Sequence, residues 1–205
     1  MDRKKRDVSS GYLFVVGGPG GSGSSMISKM LSKHFNLTRV YAGELYRKIL
    51  KAKGYEVFED SFINSNKEIL FEIDNEIDRR LVEEAKRKNI LIESKIFSGI
   101  ADIKDIPCTV KIWLTASLHQ RTLRHLNKLE FSNVFQKIAG YFKERKYLKR
   151  RWKLDFMRYW ELYGIDYSKP EEYNNIVIDS SRMNEKETFN LILKMLEDGQ
   201  YIKKN

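Results

Sequence analysis

The chain is poor in the residues that cross-link a fold or bind soft metals. One cysteine, Cys108, in 205 residues excludes an internal disulfide and any cysteine-based metal cluster. It stands beside an apolar stretch and reads as packing rather than as a nucleophile. The three histidines, His34, His119 and His125, show no ligand spacing. Proline is scarce as well, and Pro107 and Pro170 only punctuate turns. No apolar run approaches the roughly 20 residues of a membrane helix. The opening Met-Asp-Arg-Lys-Lys-Arg lacks the apolar region of a secretory signal. A soluble, cytoplasmic protein without a membrane partner is expected.

What is present suits one domain spanning residues 1 to 205, with 41% hydrophobic residues available for a core. Residues 12 to 25 read Tyr-Leu-Phe-Val-Val-Gly-Gly-Pro-Gly-Gly-Ser-Gly-Ser-Ser, an apolar strand breaking into a glycine loop and then a helix. Gly18, Pro19, Gly20, Gly21, Ser22, Gly23, Ser24 and Ser25 fit the phosphate-binding frame G-x-x-x-x-G-K-[ST], except that Ser24 stands where the lysine belongs. Glycines let the backbone turn tightly with its N–H groups aimed inward, where they and the positive end of the next helix hold phosphate oxygens. Ser25 would offer its hydroxyl to Mg2+ bound with ATP. Gly18, Gly20 and Gly23 also satisfy G-x-G-x-x-G, with Glu44 about where a ribose-binding acid is wanted. A dinucleotide site and a ligand-free glycine turn are therefore the alternatives at this point.

Met26, Ile27, Met30, Leu31 and Phe35 give a helical period over residues 26 to 35. Strands are expected at 12–16, 38–41, 89–93, 110–114 and 175–178, with helices between them. Short apolar strands joined by helical crossovers predict an α/β fold, a doubly wound five-stranded parallel sheet. Function belongs at the carboxyl ends of its strands. There lie the glycine loop, Ala42-Gly43-Glu44, Glu93-Ser94-Lys95 and Asp179-Ser180-Ser181. A last helix begins at Asn184, with Glu187 reaching back to cap it.

The formal charge of +10 is unevenly placed: residues 137 to 158 hold nine Lys or Arg against Glu144 and Asp155. An anionic ligand is expected there, either nucleotide phosphates or, given the interleaved aromatics, RNA. Ile138, Tyr141, Leu148, Trp152, Phe156, Tyr159 and Tyr163 recur at helical steps and read as a packing stripe. Arg151, Asp155 and Arg158 share the flanking face, where one carboxylate can orient two guanidinium groups toward a polyphosphate.

Four strings then carry a resemblance: Tyr-Ala-Gly-Glu-Leu-Tyr-Arg at 41 to 47, Glu-Ile-Asp-Asn-Glu-Ile-Asp-Arg-Arg at 72 to 80, Val-Lys-Ile-Trp-Leu at 110 to 114 and Tyr-Gly-Ile-Asp at 163 to 166. From about residue 12 to 195 the chain resembles the archaeal-type cytidylate kinases, nucleoside monophosphate kinases of the P-loop class. The resemblance implies a P-loop core, a helical acceptor-binding insert at about 43–88 and a basic helical lid at about 128–160. It implies transfer of the ATP γ-phosphoryl to CMP or dCMP, giving ADP and CDP. On it, Gly43, Arg47, Asp74, Asp78 and Lys95 would serve the acceptor, Lys95 replacing the family's arginine. Glu93 would stand near the magnesium shell with Ser25, Arg121 would stack on the adenine, and Arg151 and Arg158 would close on the transferred phosphoryl. Some archaeal members carry threonine where Ser24 stands. The alternative reading is a catalytically impaired P-loop scaffold that binds RNA through the lid helix.

Overall fold

The computed structural model describes residues 5–55 and 67–202. Residues 56 to 66, inside the expected acceptor insert, lie outside the described residues. Five strands form one wholly parallel sheet in the order β2-β3-β1-β4-β5. They are β1 (Leu13–Gly17), β2 (Thr38–Tyr41), β3 (Ile90–Glu93), β4 (Val110–Thr115) and β5 (Ile176–Asp179). Each lies within one residue of the stretch that sequence pattern assigns to it. β1, β3 and all but the last residue of β4 are buried. Helices on both faces account for the near-continuous apolar runs.

The pleat of β1 divides the core into two layers. Leu13 and Val15 meet the packing of α2 (Ala42–Ala52), α3 (Lys67–Ala85) and α4 (Phe97–Ile103). Phe14 and Val16 face the opposite way, toward Ile27 and Leu31 of α1 (Ser24–His34) and Ile192 and Leu196 of α7 (Glu185–Asp198). α1 starts two residues earlier than its apolar period, because Gly23 supplies the left-handed turn that launches it. Met26, expected inside, is 41% exposed, while Ser28 is buried. α7 carries the expected capping box between Asn184 and Glu187. Burial pushes the Cys108 thiol up to about 12, which leaves it protonated and unreactive.

α5 (Leu118–Leu126) leads into α6 (Val134–Tyr163), a 30-residue helix in the lid position. Asn133 caps its start and Gly164, in a left-handed conformation, ends it. The expected apolar stripe holds only in part. Leu148 and Tyr159 are buried, but Ile138 is 52% exposed and Trp152 is 36% exposed. The first half of α6 meets α5 through pairs such as His119 and Tyr141, whereas Trp152, in the second half, stacks on Phe156 and contacts Tyr167.

Candidate active site

The glycine loop follows β1 at the centre of the sheet, flanked by β3 and β4. Its carbonyls are tied down on the outer side. Arg121 Nε donates to the Gly20 carbonyl at 2.7 Å, Arg124 Nη1 to those of Gly21 (3.2 Å) and Ser22 (3.0 Å), and Ser180 Oγ to that of Ser22 (2.8 Å). A peptide plane sets C=O and N–H on opposite sides, so fixing the carbonyls of Gly20 and Ser22 turns the N–H groups of Gly21 and Gly23 inward. Gly21 and Gly23 adopt φ of 82° and 97°. A side chain at Gly21 would also meet the Arg121 carbonyl at 2.9 Å. No side chain caps α1 at Gly23, so the first-turn N–H groups keep their capacity for an anion. Ser22 Oγ is buried inside the loop without a hydrogen-bond partner, a donor lacking only an acceptor. These features fit the triphosphate of ATP.

Arg121, which the resemblance sets on the adenine, is anchored through Nε to the Gly20 carbonyl and lines a partly filled cleft with Pro19, Gly20, Lys95, Leu148, Arg151 and Tyr167. Arg124, which sequence reading missed, lies one helical turn on and binds Ser180 as well as the loop. Their i, i+3 spacing on one helix face was the available signal. Asp179-Ser180-Ser181, expected at the carboxyl end of its strand, contributes Ser180 to the support of the loop.

Opposite these arginines, Ser25 Oγ lies 3.2 Å from Arg39 Nη2, and Arg39 Nε donates to Glu93 Oε2 at 2.8 Å. Ser28 Oγ also donates to Glu93. Glu93, assigned by resemblance to the metal's surroundings, thus holds an arginine of β2 that sequence reading did not single out. Among the described residues no group of three or more His, Cys, Asp and Glu side chains could hold a metal ion. The Ser25 hydroxyl fits a magnesium ion that arrives with its phosphates, and Glu93 Oε2 is engaged by Ser28 and Arg39.

α6 brings a charged cluster down beside the loop. Asp155, buried on α6, pairs with Lys95 from the end of β3 and with Arg158 one turn on, at 3.5 Å. Arg158 Nε lies 3.2 Å from Asp74 Oδ2, at an angle that gives neither atom a hydrogen bond. Tyr163 donates to Asp78. Burial alone would raise the Asp155 carboxyl, but Lys95, Arg158 and Arg151 hold it below the usual carboxylate range. Burial raises Asp74 to about 6 against the pull of Arg158, and Asp78 to about 7 against the Tyr163 hydrogen bond. Arg151 donates to Tyr147 at 3.3 Å. The structure therefore gathers Lys95, Asp74, Asp78, Arg151 and Arg158, with Asp155 as the hub. Gly43 and Arg47 stand apart from it: Arg47 is exposed on α2 with its guanidinium over the Tyr41 ring at 5.3 Å, and Gly43 packs beneath the same ring. Glu44, the acid of the dinucleotide alternative, pairs on the surface with Lys48 at 2.7 Å.

The site's likeness to known proteins agrees with its geometry. A family model described as an AAA domain matches residues 16–126. The cytidylate kinase of Pyrococcus abyssi is 33% identical over 193 residues, covering 93% of this chain and 96% of that protein. That of Methanopyrus kandleri is 30% identical over 190 residues, covering 90% and 92%. The shikimate kinase of Acinetobacter baumannii, solved with shikimate, superimposes with a TM-score of 0.55 at 14% identity, over 96% of this chain and 98% of that one. That last likeness is one of fold. The comparisons lend no support to the RNA-binding alternative, and no helix among the described residues is long and apolar enough to cross a membrane.

Proposed function

The chain belongs to the cytidylate kinase family of P-loop proteins and is an ATP-dependent nucleoside monophosphate kinase, and on that premise we propose that it acts in the cytoplasm with CMP or dCMP as its acceptor. The observation that carries this reading is the cation cluster beside the loop. Phosphoryl transfer asks the protein for positioning and charge neutralisation rather than covalent work, and Lys95, Arg151 and Arg158 meet there from two elements, paired with or close to Asp155 and Asp74. In this reading Asp74 and Asp155 hold the cations in place until substrate oxygens compete for them. Arg158 and Arg151 serve the transferred phosphoryl, Lys95 the acceptor phosphate with Asp74 and Asp78 orienting that side, and Arg47 with Gly43 serves the acceptor monophosphate from α2, in the acceptor insert at about 43–88. The lid at about 128–160 excludes water and so limits ATP hydrolysis. Mg2+ bound with ATP would neutralise the β and γ oxygens, with the Ser25 hydroxyl as its protein ligand.

Supplying CMP, dCMP, UMP, AMP and GMP in turn with Mg-ATP and measuring ADP release tests the proposal. Turnover is expected to be fastest with CMP or dCMP, since a pocket built around cytosine's donors leaves them unpaired with another base. Faster turnover of a purine monophosphate would overturn the acceptor assignment.

A further inference from the structure

Ser24 leaves the glycine loop without the cation that its motif normally carries. The side chains near the loop show where a replacement charge stands. Arg124 binds the loop carbonyls of Gly21 and Ser22 from the outer side, and Arg121 is tied through Nε to the carbonyl of Gly20. Lys95, Arg151 and Arg158 belong to the lid side. Arg39 alone of the cations named here approaches the first turn of α1, 3.2 Å from Ser25 Oγ and 2.9 Å from Ser28 Oγ. It sits within β2, aligned with Leu91, which packs in the core layer of α1, so the pleat turns Arg39 toward the same helix. Glu93 and the face of Tyr41, 4.9 Å away, hold its planar group in orientation. The pair is largely withdrawn from water, with side chains 18% and 6% exposed, so its charge is weakly screened.

We propose that Arg39 is a tethered counter-charge for the phosphates of ATP, standing beside Ser25 on the side of the loop that magnesium would otherwise serve by itself. A guanidinium presents a fork matched to two phosphate oxygens, and Glu93 keeps that fork aimed rather than ligating the metal. The consequence is a nucleotide affinity that survives removal of the divalent ion. This inference rests on the loop being the ATP site.

Equilibrium titration of the full chain with ATP, in EDTA and in excess Mg2+, tests it. The wild-type chain is expected to bind ATP in both, with dissociation constants within about tenfold of each other. Arg39→Gln should weaken binding in EDTA by about tenfold or more and in Mg2+ by less than about threefold, since one charge-assisted fork is lost where no metal compensates. Arg39→Lys, which keeps the charge without the fork, should fall between; a thermal melt of each variant confirms that it is folded. Should Arg39→Gln misfold, Arg39→Lys carries the test alone, by a larger loss in EDTA than in Mg2+. Equal losses in the two conditions, or none in EDTA, overturn the role of Arg39 while leaving the kinase reading intact. Failure of the wild-type chain to bind ATP in either condition removes both.

Discussion

A serine at position 24 donates a hydrogen bond but carries no charge, so the site's cations must come from elsewhere in the chain. Arg158 is the best placed on the lid, buried between Asp74 and Asp155 and lying over the rings of Tyr46 and Tyr159. The role proposed for it, service to the transferred phosphoryl, belongs mainly to the transition state, and on that proposal Arg158→Ala should lower kcat by at least about tenfold with a smaller change in the KM values. Unchanged turnover would remove it from the chemistry. Because truncation leaves two buried carboxylates short of a partner, Arg158→Lys is the control: it keeps the charge and loses only the fork. The P-loop, Arg151 and Arg158 were legible because fixed spacing and a helix face expose them, and Lys95 through its place after a strand and the family resemblance. Arg39 and Arg124 were not, since an arginine in a strand or in a polar helix reads as surface until its partners, 54 residues away at Glu93 and 102 at Ser22, are known.

The longest element ends on a glycine that the fold requires. Gly164 has φ of 65°, and a side chain there would meet nothing within 4 Å. The cost of Gly164→Ala is therefore backbone strain alone, roughly 1 kcal/mol, which corresponds to about 2–4 °C in melting temperature for a domain of this size. Scanning calorimetry should show that drop, and an unchanged melting temperature would mean that the helix end tolerates another conformation. The strands of the sheet were legible to within a residue because burial on both faces writes unbroken apolar runs. The lid was less so. A helical period states which residues share a face, and not how far a core extends along it, so Ile138 stays half exposed while Trp152, further along the same stripe, stacks on Phe156 and meets buried Tyr167.

At the scale of the whole molecule, α6, α3 and the sheet close over carboxylates that water would otherwise solvate. Asp78 on α3 is buried beneath Tyr163, the last residue of α6, and its carboxyl is raised to about 7 by that burial, partly offset by the tyrosine's hydrogen bond. A carboxyl with a raised folded value binds its proton more tightly in the native state. It contributes stability fully below the unfolded value near 4 and loses it as the pH climbs toward 7. Asp74, raised to about 6, acts in the same sense, while Asp155, held low by Lys95 and the arginines, opposes it only at acid pH. The folded protein should therefore lose stability between pH 5 and pH 8. Asp78→Asn keeps a hydrogen-bonding group without the titration, so the melting temperatures at those two pH values should move closer together by several degrees, chiefly through a gain at pH 8. If the wild-type chain instead grows more stable across that interval, or the variant leaves the interval unchanged, Asp78 is solvated in the native state and the contact between lid and acceptor helix is looser than its burial implies.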